Sequence, residues 1–245
     1  MKFNLIKLFL LSILLVSCSK KAPEYFQDAE LNLDEDKIEI AIENLETLVK
    51  KFPKDSLAAV AQYKLAFIYL KLKNDLTNGL SALEKTIDNY ENSVQGKEAQ
   101  KELMQFPEWI FNQSETLRKN KKVKESLEHL VFLIDNYKNH IVSSKGQYLI
   151  GDIYMNDLRD FPTAIQELRK VSENYKDSSQ EPHARFMIGY IFANYLNDYE
   201  SAKIEYELFL NLFPSHELVP SVEFELKYLG KNINEIPALK HISTS

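Results

Sequence analysis

The chain has 245 residues, 44% of them hydrophobic and 27% charged, with a net charge of −6. That is an ordinary globular balance, long enough for one sizeable folded unit. The mildly acidic body argues against a nucleic-acid backbone as partner, because such a partner needs a basic surface.

Residues 1–17 read as a leader. Met1 to Lys7 carries Lys2 and Lys7 and no acid, and Leu8 to Val16 is almost wholly apolar. These are the basic and apolar regions of a secretory signal, and the apolar run is shorter than the about 20 residues a bilayer span needs. Cys18 is the one cysteine, so no intramolecular disulfide can form. Leu15-Val16-Ser17-Cys18 resembles the bacterial lipobox. The resemblance implies cleavage before Cys18 and acylation of that residue. Several acyl chains together would hold the protein durably on a membrane, where one alone does so only marginally. Ser19 stands where an aspartate would mark inner-membrane retention, which leans towards the outer membrane. Residues 18–23 are then a lipidated tether, with Ser19–Pro23 spanning roughly 17 Å at full extension.

From Glu24 the apolar residues recur at helical spacing. A small residue, an apolar one at +4 and an aromatic at +11 occur five times, beginning at Ala41, Gly79, Ser126, Ala164 and Ala202. The steps are 38, 47, 38 and 38 residues, a period that belongs to helical solenoids. Within Ala41–Phe52 the apolar positions mark one buried helix face, and Pro53 ends it. A second helix type carries an aromatic at +22 (Tyr63, Tyr148, Phe186, Phe224) and a small residue at +25 (Ala66, Gly151, Gly189). Glycine inside a helix costs about 1 kcal/mol against alanine. Two at equivalent positions therefore predict close approach of a neighbouring helix. Gly151-Asp152-Ile153-Tyr154…Ala164-Ile165…Leu168…Val171…Tyr175 resembles the tetratricopeptide repeat. That implies an all-α solenoid of about five hairpins, expected over 24–53, 57–91, 94–138, 143–176 and 180–214.

The middle departs from the pattern. The 47-residue step adds nine residues, Lys101 replaces the +22 aromatic, and Pro107 interrupts a helix expected from Val94 to Gln105. The third repeat should be longer and kinked, with Trp109 filling the gap. Lys227 stands where a small residue would face a further repeat, so 217–230 reads as a capping helix. Residues 231–245 lack clear periodicity and read as a loose tail.

No catalytic constellation is present. The five histidines never pair at i,i+4, and HExxH, CxxC, EF-hand, phosphate-loop and nucleophile-elbow patterns are missing. No metal, cofactor or enzymatic activity is expected. Arg118 to Lys124 holds five positive charges and reads as a solvated loop between helices. In tetratricopeptide repeats the first helix of each hairpin lines the groove. The resemblance therefore implies a candidate partner groove at Tyr63, Tyr148, Asp152, Met155, Phe186 and Tyr190.

Lipobox, short tether and repeats together resemble the BamD family of β-barrel assembly lipoproteins, as does Tyr25…Ala29…Ala41-Ile42…Leu45…Phe52-Pro53. The last two repeats are equally similar to the C-terminal repeats of the Tol-associated CpoB family. Both resemblances imply a scaffold holding other envelope proteins at the periplasmic face of the outer membrane. The first points to the β-barrel assembly machinery, the second to coordination of envelope constriction. A tetratricopeptide lipoprotein with some other protein partner is the third alternative.

Overall fold

The computed structural model describes residues 20–232 and Glu235. The leader, Cys18 and most of the expected tail lie outside the described residues. Among those described there are twelve α-helices and no strand. They fall into two compact units that divide between Met104 and Gln105, rather than the single unit that length suggested.

The first unit holds α1 (Ala22–Asp34), α2 (Ile38–Lys51), α3 (Ser56–Phe67), α4 (Leu76–Tyr90) and α5 (Val94–Met104). A π-helical turn over Ile68–Leu72 extends α3. Successive helices pack on one another, and α3 also touches α1 and α5. The repeat positions read from the sequence form the core: Ala29, Ala41, Leu45, Leu48 and Leu83 are fully buried. A buried leucine of this kind contributes about 1.5–3 kcal/mol. Helix α1 starts at Ala22, inside the expected tether. Pro23 sits in the first turn, where its missing N–H costs nothing, and the Lys21 backbone N–H donates to Glu24 Oε2 at 3.0 Å.

The second unit holds α6 (Phe106–Lys119), α7 (Val123–Asn136), α8 (Ile141–Asn156), α9 (Phe161–Asn174), α10 (Gln180–Ile191), α11 (Tyr199–Leu212) and α12 (Val219–Lys227). A second π-helical turn, Phe192–Leu196, extends α10. Each helix packs on the next, α6 also reaches α8, and α8 reaches α10. The expected third repeat is therefore not one kinked hairpin. The chain breaks at Gln105, and Pro107 opens a new helix rather than bending an old one. Helix α5 stays with α4, and α6 pairs with α7. Trp109 is half-buried and stacks on the buried Phe106 ring at 5.4 Å, with 7° between planes.

One loop geometry serves all five hairpins. The residue five before each small repeat residue has positive φ: Asp36 at 59°, Asn74 at 54°, Lys121 at 63°, Arg159 at 54° and Asn197 at 53°. In three loops an aspartate follows and caps the next helix. Asp75, Asp160 and Asp198 accept from the backbone N–H of Asn78, Thr163 and Ser201 at 3.0, 3.2 and 3.1 Å.

Candidate partner-binding face

The predicted groove residues separate between the two units. Tyr63 lies on α3 in the first, and its hydroxyl donates to Glu102 Oε1 on α5 at 2.6 Å. Burial, then that carboxylate, pushes the phenol's proton affinity up. Tyr148, Asp152, Met155, Phe186 and Tyr190 lie in the second unit, on α8 and α10.

Met155 corrects the expectation. It is 5% exposed and belongs to the core with Ile165, Leu168, Val171 and Ile188. Its place near the end of α8 turns the thioether under the neighbouring hairpin, out of reach of a ligand. Tyr148 and Tyr190 are half-buried against that same cluster, and Phe186 is half-buried against the next one, around Tyr206 and Phe209.

The rings form a row. Phe186 lies 6.2 Å from Tyr190, Tyr190 lies 6.1 Å from Tyr195, and Tyr195 stacks on Phe161 at 4.4 Å. Tyr195 and Phe161 extend the row beyond the residues picked from sequence. Tyr195 sits in the π-helical turn, where a helical reading assigns it the wrong face. Burial raises the proton affinity of Tyr148 and Tyr190, with Asp152 adding to it at the first and Tyr195 and Glu225 at the second. Both phenols therefore stay neutral donors across the physiological range.

Asp152 is clamped. Arg118 Nη1 lies 2.6 Å from Asp152 Oδ2, and Arg118 Nη2 lies 2.6 Å from Asp157 Oδ2. The basic run over 118–124 is thus not a loop throughout: it spans the last turn of α6, the short loop Asn120–Lys122 and the start of α7, and its first residue turns inward. Its other lysines face solvent, with Lys124 near Glu128 at 3.7 Å. The charge count alone did not single out Arg118; only the fold brings two carboxylates of α8 and its following loop to it.

The two repeat glycines sit where expected. A Cβ on Gly151 would stand 2.6 Å from Leu168 Cγ, and one on Gly189 would stand 2.6 Å from Tyr206 Cε1. These contacts join α8 to α9 and α10 to α11, fixing the helices that present the aromatic row.

Among the described residues no cluster of three His, Cys, Asp or Glu could hold a metal ion. No described helix is long and apolar enough to cross a membrane.

The helix hairpins and their spacing form an all-α solenoid of tetratricopeptide-like architecture. Three stretches, 60–93, 146–178 and 183–216, match the family model described as "Tetratricopeptide repeat". The interval between the first two matches contains the extra helix and the division into units. No curated protein matches the sequence. The structure is similar to that of a tetratricopeptide repeat protein from Parabacteroides merdae, at 14% identity and TM-score 0.39, over 91% of this chain and 79% of that one. It is similar to YrrB, described as a TPR protein with an unusual peptide-binding site, at 18% identity and TM-score 0.38, over 83% and 92%. It is also similar to the TPR2AB domain of yeast Sti1 in complex with pHSP90, at 13% identity and TM-score 0.39, over 86% of each chain. The repeats are of a kind that serves as a protein–protein interaction scaffold, a use that needs no chemistry of its own.

Proposed function

We propose that this protein is a lipid-anchored scaffold of the bacterial envelope that holds another polypeptide against the aromatic row of its second unit. The observation that carries the reading is the row itself. Phe186, Tyr190, Tyr195 and Phe161 are each left incompletely buried on adjoining helices, where burial alone would have hidden them. Such rings offer large contact area at low entropic cost, and neutral phenols add hydrogen bonds. The anchor rests on Leu15-Val16-Ser17-Cys18, and outer-membrane sorting on Ser19.

Within that reading we favour assistance to outer-membrane β-barrel assembly, on the resemblance of the first repeat to the BamD family. Those residues are structural ones: Ala29, Ala41 and Leu45 are fully buried, and Tyr25 packs on Phe52 at 6.2 Å. They support the repeat more strongly than the role. The CpoB-like reading draws on the last two repeats.

A photo-reactive amino acid placed at Tyr190 should cross-link a protein partner in intact cells, and one at the exposed Lys203 should not. Equal cross-linking from both positions, or from neither, overturns the binding face. Cys18→Ala should release the protein from membranes; retention through a covalent lipid overturns the anchor. Depletion should lower folded outer-membrane barrels. Unchanged barrels with a constriction defect would favour the Tol-associated reading.

A further inference from the structure

A cavity of about 340 Å³ opens at the C-terminal end of the second unit, with Asn194, Tyr199, Phe224, Glu225, Tyr228 and Lys231 in its lining. Part of the wall is aromatic. Tyr199 is 41% and Phe224 36% exposed, and the Phe224 and Tyr228 rings lie 4.9 Å apart. The other part is a carboxylate. Glu225 is half-buried on α12, facing the Asn194 amide and the Tyr206 hydroxyl.

Glu225 stands apart from the other inward-facing carboxylates of this unit. Glu205 is paired with Arg169 at 2.6 Å, Glu181 with Arg185 at 3.3 Å, and Asp152 and Asp157 share Arg118. No lysine or arginine among the described residues pairs with Glu225. Burial accordingly raises its proton affinity. One polar group beside it lacks a well-formed partner, while the Asn194 amide donates to the Tyr190 carbonyl at 3.2 Å. Tyr206 is fully buried, and its hydroxyl, although beside Glu225, makes no hydrogen bond of good geometry. A carboxylate desolvated without a cation is costly, and a well-placed cation offsets part of that cost.

The aromatic wall already carries two of the chain's own ammonium groups, one of them from Lys231 in the lining. Lys227 Nζ lies 5.3 Å and Lys231 Nζ 5.6 Å from the centroid of the Tyr228 ring. Ring faces attract ammonium and guanidinium groups, and the aliphatic stems of those side chains pack on rings as they do so. An anion would meet Glu225. A purely apolar group would leave the carboxylate unpaired. A metal ion would find one carboxylate and amide groups, too few ligands for a site.

We propose that this cavity receives a lysine or arginine side chain of the bound polypeptide, its charge paired with Glu225 and its stem laid on the exposed rings of Tyr199 and Phe224. The inference rests on the reading of the second unit as a polypeptide-binding scaffold and adds a basic residue to what that scaffold recognises. Arginine suits it best, because the planar fork can stack on a ring and pair with a carboxylate at once.

The test is a heteronuclear NMR titration of the whole purified protein with Nα-acetyl-arginine N-methylamide and with its neutral isostere, the citrulline counterpart. The arginine probe should shift the amide signals of Asn194, Tyr199, Phe224, Glu225 and Tyr228. The citrulline probe should bind at least about tenfold more weakly, the loss expected for one charge-assisted contact. Glu225→Gln should weaken the arginine probe by a similar factor. Equal affinity for both probes, shifts mapping elsewhere, or an indifferent Glu225→Gln would overturn the proposal. The probe comparison needs no variant, so it stands even if Glu225→Gln unfolds. A partner that still cross-links at Tyr190 in the Glu225→Gln protein, with undiminished yield, would sink this inference and leave the scaffold reading intact.

Discussion

Arg118 Nη1 stands 2.6 Å from Asp152 Oδ2, while Nη2 of the same guanidinium stands 2.6 Å from Asp157 Oδ2. One planar cation thus ties the end of α6 to α8 and to the loop after it. The arginine is 22% exposed at its side chain, so water screens these pairs only in part. Burial opposes the guanidinium's charge, and the two carboxylates more than restore it, leaving its proton affinity raised. Arg118→Met should leave two uncompensated carboxylates and cost about 2 kcal/mol. Denaturant unfolding measures it. The double variant Arg118→Met, Asp152→Asn should recover part of the loss; strict additivity would sink the clamp.

Gly189 and Gly151 leave no room for a side chain. Alanine at Gly189 would push into the Tyr206 ring, and leucine at Gly151 into Leu168. Each should destabilise by about 1–3 kcal/mol. Gly146 is the control. Its added Cβ would lie 3.1 Å from a Leu133 methyl, so alanine there should cost less. Equal losses at Gly146 and Gly189 would refute the close-approach argument.

Lys121 and Arg159 hold left-handed backbone at φ 63° and 54°. For a residue with a β-carbon that conformation costs roughly 1–2 kcal/mol, and glycine escapes it. Lys121→Gly and Arg159→Gly should therefore raise stability by up to about 1 kcal/mol once glycine's greater unfolded-state entropy is counted. Thermal unfolding that falls in both variants would contradict the loop geometry.

His129 is buried on α7, with Nδ1 donating to the Glu125 carbonyl at 3.0 Å and Nε2 left without a partner. Burial lowers its proton affinity below the ordinary 6.5, although Glu125 and Glu128 pull the other way. The unfolded chain then binds the proton first. This contribution to stability is complete above 6.5 and is lost as pH falls through that value, until the folded imidazole also titrates. The unfolding midpoint should drop between about pH 7.5 and pH 5.5, and His129→Gln should flatten that slope. An unchanged slope in the variant would remove His129 as the cause.

The sequence by itself determined the repeat. Ala41, Ala164 and Ala202 are fully buried because a helix face that recurs every 3.6 residues has only one way to leave water, and its period survives whatever surrounds it. Gly151 and Gly189 were legible for a related reason, since a costly residue kept at equivalent positions points to steric exclusion. The loops were not legible. Three of their left-handed residues are aspartate or asparagine, which tolerate that conformation, but Lys121 and Arg159 carry no such signature, and chain closure between packed helices holds them there. Met155 shows the same limit from the other side. The resemblance to tetratricopeptide repeats placed it with Tyr148 and Asp152, but which of two neighbouring faces is covered depends on the crossing of α8 and α9. Likewise, Arg118 reads as one charge among five, and Glu225 as one acid on a polar cap. Tertiary structure made the first a clamp and left the second unpaired, because charge pairing is set by distances between residues far apart in the chain, which no local pattern encodes.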